Sequence, residues 1–242
     1  FKCLKNNIFA PIMDKELVNK REFSSEAIKS LNKKYRKLAP LERVKELYKD
    51  FGQDEVMLTS SFAATSAFLL KLFSDVNKTQ RIYFIDTGYH FKETLIYKDY
   101  LTPLYDLNVK SVTADTWKHE FTSKDQTWIK DPNMCCSINK VEPLEGLKKL
   151  YSVWVSGLME WQTNHRSSLD IFEQRNDILK FYPLLDISRK ERDNFIKDHH
   201  LPFHPLISKG YYSIGCTHCT LPGKGREGRW NNNPKTECGL HL

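Results

Sequence analysis

The sequence predicts an α/β fold in which a mainly parallel sheet carries helices on both faces. Short runs rich in β-branched and aromatic residues alternate with longer runs whose apolar residues recur at helical spacing. This alternation is typical of strand–helix–strand units with parallel strands. The 242 residues are 40% hydrophobic, so the chain can bury a sizeable core, and no apolar run reaches the roughly 18 residues of a membrane span. We therefore expect a globular protein with no membrane partner.

The first part of the chain predicts helices that lead into a buried strand. Residues 14–50 are helical in pattern, and Pro40 suits the first turn of a helix over 41–48. A short strand follows at 55–59, and an apolar helix at 64–73. A serine-rich turn separates the two.

The rest of the chain repeats this alternation and then loses it. A strand at 81–85 runs into an Asp-Thr-Gly loop at 86–88 and a helix over 91–100. The remaining predicted strands are 109–112, 152–156 and 181–185. Glycine, proline, asparagine and charged residues dominate from Ser208, which predicts a loop-rich tail.

The predicted organisation is one α/β domain over 14–207 followed by a C-terminal segment over 208–242. We interpret residues 1–13 as a leader or a non-native extension. Their apolar stretch is followed at once by Asp14, Lys15 and Glu16, which is atypical of a secretory signal. We expect a cytoplasmic protein, and the sequence leaves open a homo-oligomer.

The charge favours an anionic partner. Lys and Arg number 37 against 30 for Asp and Glu, a net charge of +7, although a solvated lysine-rich surface would give the same total. Part of the surplus surrounds the C-terminal cysteines, at Lys224, Arg226, Arg229 and Lys235. A binder of single-stranded nucleic acid would interleave aromatic residues with such a patch, and Trp230 alone is thin support, so we expect no nucleic acid.

Two loops follow predicted strands, where open parallel sheets bind ligands. In the loop 59–65, the hydroxyls of Ser60, Ser61 and Thr65 and the start of the next helix suit a phosphate. Capping of that helix by a serine explains the same residues equally well. The loop of Asp86, Thr87 and Gly88 could hold a ribose or an adenine edge, but it is also common turn chemistry.

The six cysteines are the more specific signal. Without an export signal they do not suggest disulfides. Cys135, Cys136, Cys216 and Cys219 could hold a metal group, and the adjacent pair does not form the Cys-x-x-Cys knuckle that structural zinc prefers, which favours an iron–sulfur cluster over zinc. Lys140 would lie near that cluster if its segment is helical.

Cys238 has no partner in this count. It sits in a polar tail with basic neighbours, which lower a thiol pKa, so we predict a nucleophile. A leftover thiol at a chain end is the alternative.

Together these residues resemble a known family. Cys135-Cys136 with Lys140, then "SIGCTHCT", "REGRW" and a terminal "ECGLH" resemble the assimilatory, thioredoxin-dependent sulfonucleotide reductases of the adenylyl-sulfate type, in the same order over about residues 50–242. The resemblance implies an adenine-nucleotide alpha-hydrolase-like, Rossmann-like fold, a 4Fe-4S cluster on the four cysteines and a catalytic thiol at Cys238. It also implies that Cys238 attacks the sulfur of adenylyl sulfate, that AMP leaves, and that thioredoxin or glutaredoxin opens the thiosulfonate to release sulfite.

The resemblance also implies a set of substrate-binding residues. These are Ser60, Ser61, Phe62, Asp86, Thr87, Gly88, Lys140, Arg166, Arg226 and Arg229. The basic members would neutralise the charge that develops as AMP leaves.

This sequence departs from the family's pattern in two loops. Met159 and Glu160 replace two adjacent arginines of an arginine-rich loop, of which Gln162 and Arg166 remain. In the loop 59–65, Ala63 replaces a frequent glycine and Thr65 replaces a frequent acidic residue. Outside these two loops, Tyr89 after the Asp-Thr-Gly sequence resembles the cluster-free enzymes that use the 3′-phosphorylated nucleotide.

Two alternative functions stay open. One is reduction of 3′-phosphoadenylyl sulfate, although enzymes specialised for it generally lack the four cysteines. The other is an adenylating enzyme of the ATP pyrophosphatase type with structural zinc, although "TSSFAATS" lacks the glycine pair and the aspartate of that family's phosphate loop.

Overall fold

One six-stranded sheet organises the chain in a computed structural model that describes residues 21–230, 233 and 235–241. Its strands are β1 (Val56–Thr59), β2 (Arg81–Ile85), β3 (Asn108–Val112), β4 (Val153–Val155), β5 (Phe172–Arg175) and β6 (Ile178–Phe181). Their order across the sheet is β3-β2-β1-β4-β6-β5, and every pairing is parallel except that of β5 with β6. The predicted α/β class is confirmed.

The helices alternate with the strands. Among the described residues the α-helices are α1 (Ser25–Tyr35), α2 (Pro40–Asp50), α3 (Ser66–Val76), α4 (Lys92–Leu104), α5 (Thr116–Lys124), α6 (Thr127–Lys130), α7 (Pro132–Cys136), α8 (Glu142–Lys148), α9 (Asn164–Ser167) and α10 (Arg189–Asp198). The helical pattern over 14–50 thus forms two helices, because Ala39 takes the extended conformation that a following proline favours. Residues 1–13 and 14–20 lie outside the described part of the chain.

Helices cover both faces of the sheet. On one face the main core joins β-strand residues such as Leu58 and Phe84 to Leu47 of α2 and Phe73 of α3. On the other face Leu144 and Leu147 of α8 pack with Met57, Tyr83 and Trp154 of the sheet. This second face carries the functional residues described below.

The end of the sheet differs from the sequence prediction. The strand predicted at 181–185 is wrong in its bounds, because β6 ends at Phe181 and Pro183 has no backbone N–H to donate to a ladder. Leu184 and Leu185 are buried without being part of a strand. The antiparallel β5 was not predicted.

No helix in the described ranges is long and apolar enough to cross a membrane.

Candidate active site

The candidate site lies at the carboxyl edge of the sheet, between β1 and β4. The chain leaves β1 toward β2 and β3 but continues from β4 toward β6, so the two neighbours form a topological switch point. Loops that diverge at such a point leave a crevice for a ligand. The loop after β1 and the segment after β4 border this crevice, and the loop after β2 lies beside them.

The loop after β1 leaves part of its hydrogen-bonding capacity unused. The Ser60 hydroxyl accepts a hydrogen bond from the Phe62 N–H at 3.2 Å, and the Phe62 ring is fully buried against Phe84. Ser61 is exposed, and Thr65, which precedes α3, makes no side-chain capping hydrogen bond. The start of α3 is therefore not capped by a loop side chain, and Phe62 can reach a ligand only through its backbone.

The loop after β2 is tied to the C-terminal cysteines. The Asp86 carboxylate accepts a hydrogen bond from the Gly88 N–H at 3.0 Å. The Thr87 hydroxyl accepts one from the Tyr89 N–H and lies 3.4 Å from the sulfur of Cys216. The Thr87 hydroxyl therefore faces the cysteines. One carboxylate oxygen of Asp86 has no hydrogen-bond partner among the described residues.

The four predicted ligand cysteines come together from two distant segments. Cys135 and Cys136 end α7, and Cys216 and Cys219 bracket a tight 3-10 turn. The first three are buried and Cys219 is half-buried. Burial, and after it the negative charges of Cys136, Cys216 and Cys219, together raise the pKa of Cys135 to about 12. Four thiolates this close would repel one another, so a positively charged group is needed to hold them deprotonated.

The thiols do not match a single metal ion. Within the described residues no three Cys, His, Asp or Glu side chains could hold one ion. Zinc would draw four thiolates to about 2.3 Å from one centre, whereas a cube of four irons and four sulfides takes its thiolates at separate corners. The four cysteines supply the all-sulfur donor set that such a cluster requires.

A buried polar network supports the first cysteine pair. Asn139 lies in the π-helical turn Ser137–Val141 that follows α7. Its amide N–H group donates to the carbonyl of Cys135 at 3.0 Å and lies 3.8 Å from the sulfur of the same residue. It also donates to Thr122, whose hydroxyl contacts that of Tyr89. Because Tyr89 adjoins the Cys216 segment, the network links both cysteine pairs.

Lys140 occupies the position that the sequence assigned to it, one turn beyond the cysteines. Burial alone would lower its pKa, but the thiol charges of Cys216, Cys136 and Cys238 outweigh burial and raise it. The ammonium group makes no hydrogen bond or carboxylate ion pair within the described parts of the chain. It therefore brings a positive charge with unused donors between the cysteine cluster and Cys238.

Cys238 lies close to this turn because the next residue packs on it. Gly239 has φ +88°, a conformation that favours glycine, and a Cβ there would sit 3.6 Å from the Val141 side chain. The charge of the Cys238 thiol acts on Lys140, Lys180 and Arg226. The predicted nucleophile thus lies within electrostatic range of three cationic side chains.

Three contacts anchor the tail around Cys238. Glu237 is buried and its carboxylate accepts hydrogen bonds from Nε and Nη2 of Arg166 at 2.7 and 2.8 Å. The Leu240 carbonyl accepts one from Lys180 Nζ at 3.2 Å. The His241 ring stacks on Trp154 with centroids 5.4 Å apart, while its backbone carbonyl lies 2.8 Å from a ring nitrogen of His165.

A short hairpin places the other two predicted arginines. Leu221 and Gly228 pair through their backbones, as do Thr220 and Arg229. The Arg229 guanidinium lies against Gly215, where any Cβ would displace it, and therefore beside Cys216. Burial and the like charge of Arg166 lower the pKa of Arg226 to about 10, although Glu237 opposes them.

The segment after β4 explains the missing arginines. Met159 is fully buried in the main core, so it does not face the crevice, and Glu160 is exposed. Gln162 accepts a hydrogen bond from the Met159 N–H at 3.2 Å and also contacts Arg166. The two retained family residues therefore contact each other and the tail.

Sequence reasoning missed four residues that the structure brings to the site: Asn139, His165, Lys180 and Glu237. Lys180 carried a signal, since a lysine inside the apolar run "ILKF" must either reach solvent or serve a purpose. Glu237 stood inside the quoted terminal motif without a role. Asn139 and His165 carried no local signal, because their partners are distant in sequence.

Comparison with known proteins identifies a family for this chain. Residues 55–222 match the family model of the phosphoadenosine phosphosulfate reductase domain. A protein of Mesorhizobium japonicum named adenosine 5′-phosphosulfate reductase is 33% identical over 216 residues, which cover 86% of this chain and 84% of that protein. A protein of the same name from Bacillus mycoides is 36% identical over 199 residues, 78% of this chain and 85% of its own length.

Solved structures share the fold. A phosphoadenylyl-sulfate reductase from Candida auris superposes with a TM-score of 0.74 at 24% identity, covering 84% of this chain and all of that one. An FMN adenylyltransferase from Candida glabrata superposes with a TM-score of 0.54 at 15% identity, covering 82% and 74%. At these identities the two structures support the adenine-nucleotide alpha-hydrolase-like fold alone.

Proposed function

Because the chain belongs to the phosphoadenosine phosphosulfate reductase family, we propose that it reduces a sulfonucleotide, adenylyl sulfate, to sulfite and AMP in sulfate assimilation. The observation that carries this proposal is the setting of Cys238, a thiol among Lys140, Lys180 and Arg226 and next to a group of four cysteines. Cations beside a nucleophilic thiol attract an anionic substrate to it.

The proposed reaction has three displacement steps. The Cys238 thiolate attacks the sulfur of adenylyl sulfate, an S–S bond forms, and the S–O bond to the phosphate breaks with its electron pair leaving on AMP. A dithiol protein of the thioredoxin or glutaredoxin class then attacks the Cys238 sulfur. Sulfite leaves with the S–S electron pair, and the second thiol of the reductant closes its own disulfide and frees Cys238. The two electrons come from the dithiol.

The basic residues would act on the leaving group. Negative charge grows on the AMP phosphate as the S–O bond breaks, and preorganised cations in a site shielded from water stabilise it. The uncapped start of α3 with the exposed Ser61 hydroxyl and the Ser60–Phe62 backbone would hold the phosphate side. The free oxygen of Asp86 would accept a hydrogen bond from the nucleoside.

We further propose that Cys135, Cys136, Cys216 and Cys219 hold a 4Fe-4S cluster. When bound, the cluster would hold the two cysteine segments together and so fasten the C-terminal segment to the α/β domain. Asn139 and Thr87 would direct N–H and O–H groups at its thiolates. Lys140 would balance the negative charge of those thiolates on the side that faces Cys238.

The contacts of Tyr89 bear on the choice of nucleotide. This residue resembles the enzymes that use 3′-phosphoadenylyl sulfate, but its hydroxyl contacts Thr122 and its ring packs on His119 and Trp128. The Tyr89 side chain therefore packs on the side of the loop that faces the cysteines. We propose adenylyl sulfate as the substrate, with the 3′-phosphorylated form as the alternative.

Sulfite release by anaerobically purified protein tests the function. Reduced thioredoxin is supplied with adenylyl sulfate or its 3′-phosphorylated form in parallel, and we expect turnover with the unphosphorylated nucleotide. Cys238→Ser should abolish turnover while the protein stays folded and keeps its iron, whereas Cys219→Ser should lose iron. Turnover retained by Cys238→Ser would refute the nucleophile, and a fully active, iron-free wild type would refute the cluster.

A further inference from the structure

The four cations assigned to the substrate fall into two groups by what they contact. Arg166 and Arg226 both contact the carboxylate of Glu237, at 2.7 Å for the first and 3.4 Å for the second. Lys140 and Arg229 have no carboxylate partner among the residues the structure describes. The single carboxylate of Glu237 thus offsets part of the charge of the first pair, whereas the second pair remains fully available to an anion.

Glu237 and Arg166 form a buried ion pair joined by two hydrogen bonds. Two parallel hydrogen bonds join its carboxylate to Arg166, and Thr163 donates a third at 3.1 Å. Arg166 is 7% exposed and Glu237 only 2%. Burial alone would raise the pKa of Glu237, but the hydrogen bonds and charge of Arg166, with the charge of Arg226, outweigh it and keep the pKa below its usual value. The carboxylate therefore stays charged on these two arginines.

Lys140 and Arg229 have N–H groups without a hydrogen-bond partner among the described residues. Nε of Arg229 is buried without a hydrogen-bond partner in the described chain. Its guanidinium contacts Ser213 only at 3.4 Å and otherwise lies on the Trp230 ring, 4.4 Å from the centroid. A buried, unpaired donor is costly unless a ligand uses it. The ammonium group of Lys140 also has no hydrogen-bond partner among the described residues, and the charge of Arg229 acts on it.

We propose that Glu237 is a positioning residue that docks the Cys238 segment through Arg166 and Arg226, while Lys140 and Arg229 bind the phosphate–sulfate group of the substrate. This inference rests on the proposed function and divides its basic residues between two tasks. Docking the nucleophile and binding the nucleotide become separable properties. Arg166, which the family resemblance assigns to substrate, acts instead through the residue next to the nucleophile.

The test measures the two properties separately on the intact, cluster-loaded protein. Docking is read from the alkylation rate of Cys238 by iodoacetamide without nucleotide, with the labelled peptide identified by mass spectrometry. Nucleotide binding is read from the Kd of adenylyl sulfate in a Cys238→Ser background, which prevents turnover. Glu42→Gln, which alters an exposed carboxylate paired with Lys45, is the matched control.

We expect Glu237→Gln and Arg166→Gln each to speed alkylation by about tenfold or more, because the docked tail loses a buried ion pair. Each should change the Kd by less than about threefold, and kcat should fall while KM holds. Arg229→Gln should leave alkylation unchanged and weaken nucleotide binding by about tenfold or more, the effect of one charge-assisted hydrogen bond. The double variant Arg166→Gln/Glu237→Gln should be no worse than either single variant, because both remove one interaction.

The inference is overturned if Arg166→Gln weakens nucleotide binding as much as Arg229→Gln does, or if neither Glu237→Gln nor the double variant changes the alkylation rate. Glu237→Gln keeps the shape of the side chain, so it answers the question even if Arg166→Gln does not fold. Failure of the wild type to bind adenylyl sulfate would refute the proposed function instead. The alkylation result needs no substrate and would still decide the docking role.

Discussion

A lysine buried in the sheet makes the stability of this protein depend on pH in a predictable direction. Lys180 is only 4% exposed, sits 5.0 Å from the centroid of the Trp154 ring and donates to the Leu240 carbonyl. Burial, and after it the nearby charges of Arg175 and Lys148, together lower its pKa from the ordinary 10.5 to about 8. The perturbation we choose is Lys180→Met, which keeps the length of the side chain and removes the charge.

The direction and the size of the change in stability with pH follow from the pKa of Lys180. Between about pH 8 and 10.5 the unfolded chain binds more protons at this residue than the folded protein, so the free energy of unfolding rises with pH across this window. Below pH 8 the penalty for burying the charge is complete, and above 10.5 it is gone. The shift corresponds to about 3 kcal/mol. For a domain of this size that is a change of about 6 to 12 °C in Tm.

The assay compares Tm for the wild type and Lys180→Met from pH 7 to pH 10, with both proteins anaerobic and cluster-loaded. Other titrating groups affect both proteins alike, so the difference between them isolates Lys180. We expect the wild type to gain stability relative to the variant as pH rises. The control is Lys49→Met, which removes a lysine whose side chain is 71% exposed and should leave the pH dependence unchanged. Parallel curves for wild type and Lys180→Met would refute the reasoning.

Two further predictions concern the departures from the family pattern and the support of the cluster. Met159→Arg should lower the free energy of unfolding by about 3 kcal/mol or more, because it buries an unpaired charge in the main core. Glu160→Arg, at an exposed position, should change it by no more than about 0.5 kcal/mol. Equal Tm values for the two variants would contradict this account. Asn139→Leu should weaken retention of iron and sulfide by about 10- to 100-fold, measured as the rate at which a chelator bleaches the visible absorbance. Ser137→Ala, on the exposed side of the same turn, should bleach at the wild-type rate. Equal bleaching rates for the two variants would show that Asn139 does not support the cluster.

The strands show how far pattern alone reaches. The strands predicted at 55–59, 81–85, 109–112 and 152–156 match β1 to β4 within a residue or so. β1, β2 and β4 are short apolar runs and are largely buried, as central strands of a parallel sheet are, whereas β3 lies at the sheet edge and is partly exposed. The hairpin of β5 and β6 escaped prediction. Phe172–Arg175 is mostly polar and lies at the sheet edge, where a strand needs no apolar run, and the buried residues after Phe181 gave a false strand signal.

By itself, the sequence determined the fold class, the grouping of the four cysteines and the separate position of Cys238, because periodicity and rare reactive residues are visible without coordinates. Only the tertiary structure decided which cations are free. Arg166 and Arg226 look like Lys140 and Arg229 in the sequence, and Glu237 is one acidic residue among many. Folding brings that carboxylate across 71 positions onto Arg166. A charge pair buried from water is a property of where two distant segments meet, which no local pattern encodes.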